Sequence, residues 1–154
     1  LPFIFDPGQI IPALSKSEIM FCLKNAMMMI VNDYELSLIK DKTGLTLNEI
    51  KNKLKYLIVT LGPKGSLIYH TGKKYQIPVA KPKNTSDPTG AGDAYRAGII
   101  KGLIEGFEIE TMGRVAALAS VYTVEKYGTQ THSYSATSFK KRYKENFSEN
   151  LTCL

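Results

Sequence analysis

The residues best suited to chemistry lie in one short run, Asp87-Pro88-Thr89-Gly90-Ala91-Gly92-Asp93. Gly90, Ala91 and Gly92 are three small residues at the head of a predicted helix over 91–104. Small side chains let a backbone approach an anion closely, and the first N–H groups of a helix have no partner within it. The macrodipole adds roughly half a positive charge at that end. A loop of this build suits the oxygens of a phosphoryl group in transfer, where positioning and charge stabilisation do most of the work. Asp93 falls in the first turn of the same helix, where a carboxylate is electrostatically favoured and is placed to accept a hydroxyl proton. Read alone, Gly-x-Gly-Asp is equally a glycine turn with a helix-stabilising charge. The longer run Asp-x-Thr-Gly-Ala-Gly-Asp-Ala-Tyr over 87–95 is far more specific.

The elements that must hold this loop read as an alternation. Phe3-Ile4-Phe5 is a short apolar run ended by the turn signal Asp6-Pro7-Gly8. A helix is predicted over 15–24, with Ser15 as cap and Glu18 completing a capping box. The apolar run 27–31 reads as a strand covered on both faces, and it stops at Asn32-Asp33. Helices follow over 34–40 and 46–53, the second with Thr46 and Glu49 as cap and box partner. A β-branched strand over 56–61 is closed by Gly62-Pro63-Lys64-Gly65, and runs 66–70 and 74–79 flank Thr71-Gly72-Lys73 as a hairpin. Beyond a polar loop over 80–88, helices are predicted over 91–104, 109–126 and 138–146, with Gly128 stopping the second of these.

Helices alternating with buried strands predict an α/β fold: a mostly parallel, doubly wound sheet with right-handed crossovers and helices on both faces, a three-layer α/β/α arrangement. Ligands of such sheets sit beyond the carboxyl ends of the strands. The strand-ending segments Asp6-Pro7-Gly8, Asn32–Glu35, Gly62–Gly65 and, after its loop, Asp87–Asp93 are therefore expected along one rim. No repeat, low-complexity tract or linker divides the chain, so residues 1–154 are expected to form a single domain.

Composition narrows the partners. With 154 residues, 44% hydrophobic and 22% charged, the chain matches a globular protein with one core. Its formal charge of +6 is spread over scattered groups, Lys51, Lys53 and Lys55 in one segment and Lys140, Lys141, Arg142 and Lys144 in another. Neither is interleaved with aromatics, so these read as solvated helix faces and no nucleic-acid partner is expected. Cys22 and Cys153 lie far apart without metal-ligand spacing, which suits reduced thiols and a cytoplasmic location. No apolar run nears the ~20 residues that span a bilayer, so no membrane partner is expected. No signal peptide is expected, and the five methionines, three of them at 27–29, read as core rather than as a ligand surface. His70 and His132 have no partner at useful spacing. A dinucleotide domain is disfavoured, because no Gly-x-Gly-x-x-Gly follows the first strand.

The run 87–95 resembles the second signature of the PfkB, or ribokinase-like, family of carbohydrate and nucleoside kinases. That resemblance implies a catalytic set of Gly90, Ala91 and Gly92 as anion hole and Asp93 as base, with ATP as phosphoryl donor. Asn32-Asp33-Tyr34-Glu35 is similar to the family's Asn-x-x-Glu motif, which acts on magnesium and phosphate largely through water; a helix cap is the plainer reading of Asn32 and Glu35. Thr60-Leu61-Gly62-Pro63-Lys64-Gly65 resembles the nucleotide loop, placing Thr60, Gly62 and Gly65 at ATP, and 116–128 resembles the helix and turn that wall the adenine, adding Ala116 and Gly128. A potassium-type monovalent-cation site is also implied at Asp87, Thr89, Thr123, Lys126 and Gly128.

Family members are roughly twice as long, and the motifs of their amino-terminal half, including the Gly-Gly signature, the lid strands and most acceptor contacts, find no match here. The strand-like start Leu1-Pro2-Phe3 reads as the middle of something larger. The chain is thus expected to be the carboxy-terminal half of the fold, to transfer phosphate poorly alone, and to associate with itself or a complementary half. Asp6-Pro7-Gly8-Gln9, Arg96 and Gly128-Thr129-Gln130 resemble bacterial and archaeal adenosine or nucleoside kinases, while ribose and fructose stay open as acceptors. The competing expectation is an inactive nucleotide-binding fragment that serves in assembly or regulation.

Overall fold

The computed structural model describes residues 2–152; Leu1 and Cys153 lie outside them. Two compact units are present, residues 1–76 and 77–154.

In the first unit the strands β1 (Ile4–Phe5), β2 (Met28–Asn32), β3 (Tyr56–Thr60), β4 (Ser66–His70) and β5 (Lys73–Ile77) form one sheet in the order β1-β2-β3-β4-β5. β1 pairs with β2 and β2 with β3 in parallel, while β3 and β4 are antiparallel. The sheet is mostly parallel, as expected. Met28 to Val31 and Tyr56 to Val59 are buried at every position, the pattern of strands covered on both faces. Met29, Val31, Leu57 and Val59 join Phe5, Ile19, Leu23, Ile39 and Ile50 in the core of this unit. The β4–β5 hairpin turns on two residues, Thr71 and Gly72, with φ of 47° and 75°. Two consecutive positive φ values are what a tight hairpin needs to match strand twist, so Lys73 opens β5 and is not part of the turn.

Three helices complete this unit: α1 (Lys16–Asn25), α2 (Asp33–Thr43) and α3 (Leu47–Lys51). Each opens on a reciprocal capping box, Ser15 with Glu18, Asn32 with Glu35, and Thr46 with Glu49. α2 runs three residues past its predicted end, because Lys40 and Lys42 suit the negative end of the helix dipole and the stop comes only at Gly44, φ 76°. α3 ends earlier than expected, at Lys51. Residues 8–13 form a 3-10 helix that the Pro7-Gly8 turn signal concealed.

The second unit is helical: α4 (Ala91–Ile104), α5 (Ile109–Val124) and α6 (Ala136–Phe147). α4 and α5 pack closely because the contact residues are small. A Cβ on Gly98 would collide with Ala116 Cα, and one on Gly102 would meet Met112 Cγ at 2.5 Å. α6 starts at Ala136, ahead of the predicted 138, because Ser135 is the cap and Ser138 its box partner. Val115, Leu118, Ala119 and Val121 of α5 form a core with Phe139 and Tyr143 of α6. Arg142 is a correction to the reading of 140–144 as a solvated face. Its side chain is 7% exposed and forms a bidentate pair with Glu125, itself 10% exposed. No helix among the described residues is long and apolar enough to cross a membrane.

Candidate active site

α4 opens differently from the boxed helices. Its cap is Gly90, which has no side chain to accept from the first turn and stands at φ 83°, a conformation that costs other residues more than glycine. The helix begins where Gly90 O accepts the Ala94 amide at 3.0 Å. The Ala91 amide is engaged in the turn, donating to Pro88 O at 3.1 Å. The amides of Gly92 and Asp93 make no hydrogen bond among the described residues, and Gly92 is exposed. Two open donors thus face outward at the positive end of a 14-residue helix.

Asp93 sits in this first turn with its side chain 73% exposed. It does not face a core. Arg96, one turn on and 32% exposed, donates to Asp93 Oδ1 in an (i, i+3) ion pair. The carboxylate and the open amides are neighbours on one helix end.

α5 holds this loop from behind. Ser120 Oγ donates to Ala91 O at 2.8 Å. The Ser86 and Asp87 amides both donate to Val124 O, at 2.9 and 3.1 Å. Asp87 spans the loop, with Oδ1 accepting the Thr89 amide at 2.9 Å and Oδ2 the Gly128 amide at 3.1 Å. Hydrogen bonds from Thr89, and then from Gly128, hold its carboxyl below the usual carboxylate range. Further back, Glu125 accepts from the Lys83 amide and from Arg142, whose Nη2 also donates to Lys81 O at 3.2 Å. The loop over 81–89 is bolted to the carboxyl end of α5 at many points.

The residues expected at a monovalent cation all belong to this assembly. The Thr89 and Lys126 carbonyls accept no hydrogen bond among the described residues. The Thr123 carbonyl takes the Lys126 amide at 3.0 Å, and Gly128 O takes the Thr131 hydroxyl at 3.3 Å. Each carbonyl oxygen has a second lone pair, so the donor set fits a hard cation bound through oxygen. No cluster of three His, Cys, Asp or Glu suited to a metal occurs among the described residues. Ala116, expected at the adenine wall, is fully buried and its backbone faces Gly98 of α4.

In the first unit, Asn32 and Thr60 are register partners at the carboxyl ends of parallel β2 and β3. Asp6 follows β1 at the same edge. Asn32 Oδ1 accepts the Glu35 amide at 2.7 Å, and Glu35 Oε2 accepts the Asn32 amide at 2.8 Å. The cap reading of this pair is therefore realised, and it leaves Glu35 Oε1 without a hydrogen bond among the described residues. Thr60 Oγ1 donates to Val31 O at 3.5 Å, Gly62–Lys64 form a 3-10 turn closed by Gly65 N to Gly62 O at 3.1 Å, and Leu61 N donates to Gly65 O at 2.8 Å. Three of the four strand-ending segments thus share one rim; the fourth belongs to the second unit.

Sequence spacing did not single out Ser120, Glu125 or the roles of the two histidines. His132 has both ring nitrogens within 3.4 Å of the buried Thr123 hydroxyl. With Tyr134 it lines a cleft of about 300 Å³ beside α4 that Asp93 does not line. His70 stacks on Tyr56 at 4.3 Å and approaches Lys55 O at 2.9 Å.

Comparison with known proteins places this geometry. The family model described as pfkB family carbohydrate kinase matches residues 2–136. A nucleoside kinase of Methanocaldococcus jannaschii is 35% identical over 128 residues, which is 83% of this chain and 42% of that protein. Among solved structures, Burkholderia thailandensis nucleoside kinase in complex with inosine superposes with a TM-score of 0.95 at 36% identity, covering 97% of this chain and 50% of that one. Arabidopsis thaliana ribokinase complexed with ribose and ATP gives 0.76 at 26% identity, covering 94% of this chain and 48% of that one. The chain thus spans about half the length of the relatives it matches, and it shares their ribokinase-like α/β fold. A sheet with two parallel pairings, a glycine-capped helix with open leading amides, and matches that run along nearly the whole sequence agree on one assignment: this chain belongs to the pfkB family of carbohydrate kinases.

Proposed function

We propose that the protein transfers the γ-phosphoryl group of ATP to a hydroxyl of a nucleoside, or of a sugar such as ribose or fructose, with Asp93 as general base. The observation that carries this reading is the opening of α4, where two unengaged amides and an exposed carboxylate share one turn. The acceptor oxygen forms its bond to the γ-phosphorus as the bond to the β,γ-bridging oxygen breaks. The acceptor proton passes to the Asp93 carboxylate, and ADP leaves. The Gly92 and Asp93 amides donate to the phosphoryl oxygens as their charge shifts. Arg96 yields one oxygen of Asp93 to the incoming hydroxyl.

Magnesium bound with ATP would neutralise phosphate charge, and Glu35 would reach it through water with the carboxylate oxygen that the capping box leaves open. Asp87, with carbonyls of Thr89, Thr123, Lys126 and Gly128, would hold a monovalent cation such as potassium that stiffens the loop. Thr60, Gly62 and Gly65 are proposed at the nucleotide. A nucleoside acceptor is supported by the nucleoside kinases among the relatives. Both units are proposed to form the carboxy-terminal half of one ribokinase-like domain in a cytoplasmic protein. Association with itself, or with a chain supplying the other half of the relatives' length, belongs to the same proposal.

A second reading, a nucleotide-binding subunit without activity, draws on two features: Asp93 is paired with Arg96, and Asn32 and Glu35 cap each other. An acceptor screen of the full-length protein with ATP and magnesium separates the two. Activity on a nucleoside or sugar is expected, with Asp93→Asn slowing it by about 10²–10⁴-fold while ATP affinity changes little. Near-normal turnover by Asp93→Asn would remove Asp93 as the base, and silence of the wild type across the screen would favour the second reading.

A further inference from the structure

The geometry points to Ser120 as a positioning residue for the anion hole, acting through the peptide that joins Ala91 to Gly92. This rests on the phosphotransfer reading above and names a residue in that site which neither motif nor spacing identifies.

A serine inside a helix ordinarily turns its hydroxyl back on the carbonyl four residues earlier or out to water. Ser120 does neither. Half-buried on α5, it reaches across to a different helix and donates to Ala91 O at 2.8 Å. Ala91 is the first residue of α4, and its carbonyl shares a rigid, planar unit with the Gly92 N–H. In a trans peptide the carbonyl and the N–H of that unit point in opposite directions. Holding the oxygen from behind therefore aims the N–H at the front, where the phosphoryl oxygens would lie. A hydrogen bond to the carbonyl also polarises its peptide, which strengthens the N–H as a donor.

Why a side chain is needed here follows from the glycines. Gly90 and Gly92 leave the backbone on both sides of Ala91 freer than any other pair would. The Ala91 carbonyl takes the Tyr95 amide as the first turn of α4 closes, and the Ser120 hydroxyl is a second donor to the same oxygen, from outside the helix. The packing of α4 on α5 does not depend on the hydroxyl, because Gly98 against Ala116 and Gly102 against Met112 set that approach. The Ser120 bond can be removed while the helix pair stays together.

The test compares Ser120→Ala, Ser120→Thr and Ser120→Val in the full-length protein with ATP, magnesium and the best nucleoside or sugar. Thr and Val share one shape and differ by the hydroxyl, so that pair stays informative if Ala alters folding. The loss of kcat should be about 3- to 10-fold, the size of one net hydrogen bond, in Ser120→Ala and Ser120→Val. Ser120→Thr should recover most of it. KM for ATP and acceptor should hold, and the Gly92 amide proton should move upfield in the Ala and Val variants only. Equal kcat in the Thr and Val variants, or an unmoved Gly92 amide in the Val variant, overturns the inference. If Asp93→Asn abolishes transfer while Ser120→Val and Ser120→Thr match each other, only the Ser120 role falls; if Asp93→Asn is itself active, the phosphotransfer reading falls first.

Discussion

The helices α2 and α4 begin in opposite ways. At α2, Asn32 and Glu35 close on each other, so that the cap amide and the third amide of the turn both have partners supplied within four residues. At α4 the cap is a glycine, and the Gly92 and Asp93 amides stay open. The same contrast extends to the units that hold them. The first unit secures its helices by local boxes repeated at Ser15, Asn32 and Thr46. The second has such a box only at α6, Ser135 with Ser138, and ties its loop down by side chains distant in sequence, Ser120 to Ala91 and Arg142 to Glu125. A self-capped helix end is finished structure. A helix end left open, with its scaffold fixed from behind, is available to a ligand.

Removing one of those long-range ties should have the largest effect. Arg142→Met leaves the Glu125 carboxylate buried with only the Lys83 amide, at a cost of about 3–5 kcal/mol in urea unfolding. The pair also sets a pH dependence. The Arg142 hydrogen bonds hold the Glu125 carboxyl below the usual carboxylate range, against the opposing pull of burial. A depressed folded pKa means the contribution is present above the unfolded value and is lost as pH falls through the folded one. Stability of the wild type should therefore drop on acidification from the ordinary carboxylate range downward, and Glu125→Gln should flatten that slope. A retained slope would place it elsewhere.

Giving α4 the kind of cap that α2 has should come next. Gly90→Asn supplies a side chain that competes for the open amides, and its Cβ would meet Thr129 Cβ at 3.1 Å. Turnover should fall by about 10²-fold, the size expected for loss of one oxyanion donor. Retained turnover would mean that those amides are not used. The converse change is smaller. Asn32→Ala takes from α2 what α4 lacks and should cost about 1 kcal/mol by denaturant titration. Unchanged stability there would remove the contrast from the first unit.

Local chemistry explains what could be read in advance. The boxes at Ser15, Asn32 and Thr46, the buried runs of β2 and β3, and α4 over 91–104 rest on residues within four positions of each other, or on a pattern of burial. The loop Asp87–Asp93 was legible because glycine spacing and a first-turn carboxylate are themselves sequence features. Arg142 looked like one more solvated cation, since nothing in a run of basic residues reveals an acid 17 positions back. Ser120 was silent for the same reason: its partner lies on another helix, 29 residues away. The start of α6 was misplaced because Ser135 and Ser138 are both competent caps, and only their mutual hydrogen bonds decide which one leads.

Under the proposed function, the leading amides of α4 hold the phosphoryl group in transfer. Backbone amide NMR of the full-length protein, titrated with ADP, magnesium and aluminium fluoride as a phosphoryl mimic, tests it directly. The Gly92 and Asp93 amide protons should move downfield and become protected from exchange, while the Glu49 amide, already bonded to Thr46, stays where it is. Unmoved Gly92 and Asp93 amides in the saturated complex would contradict the account.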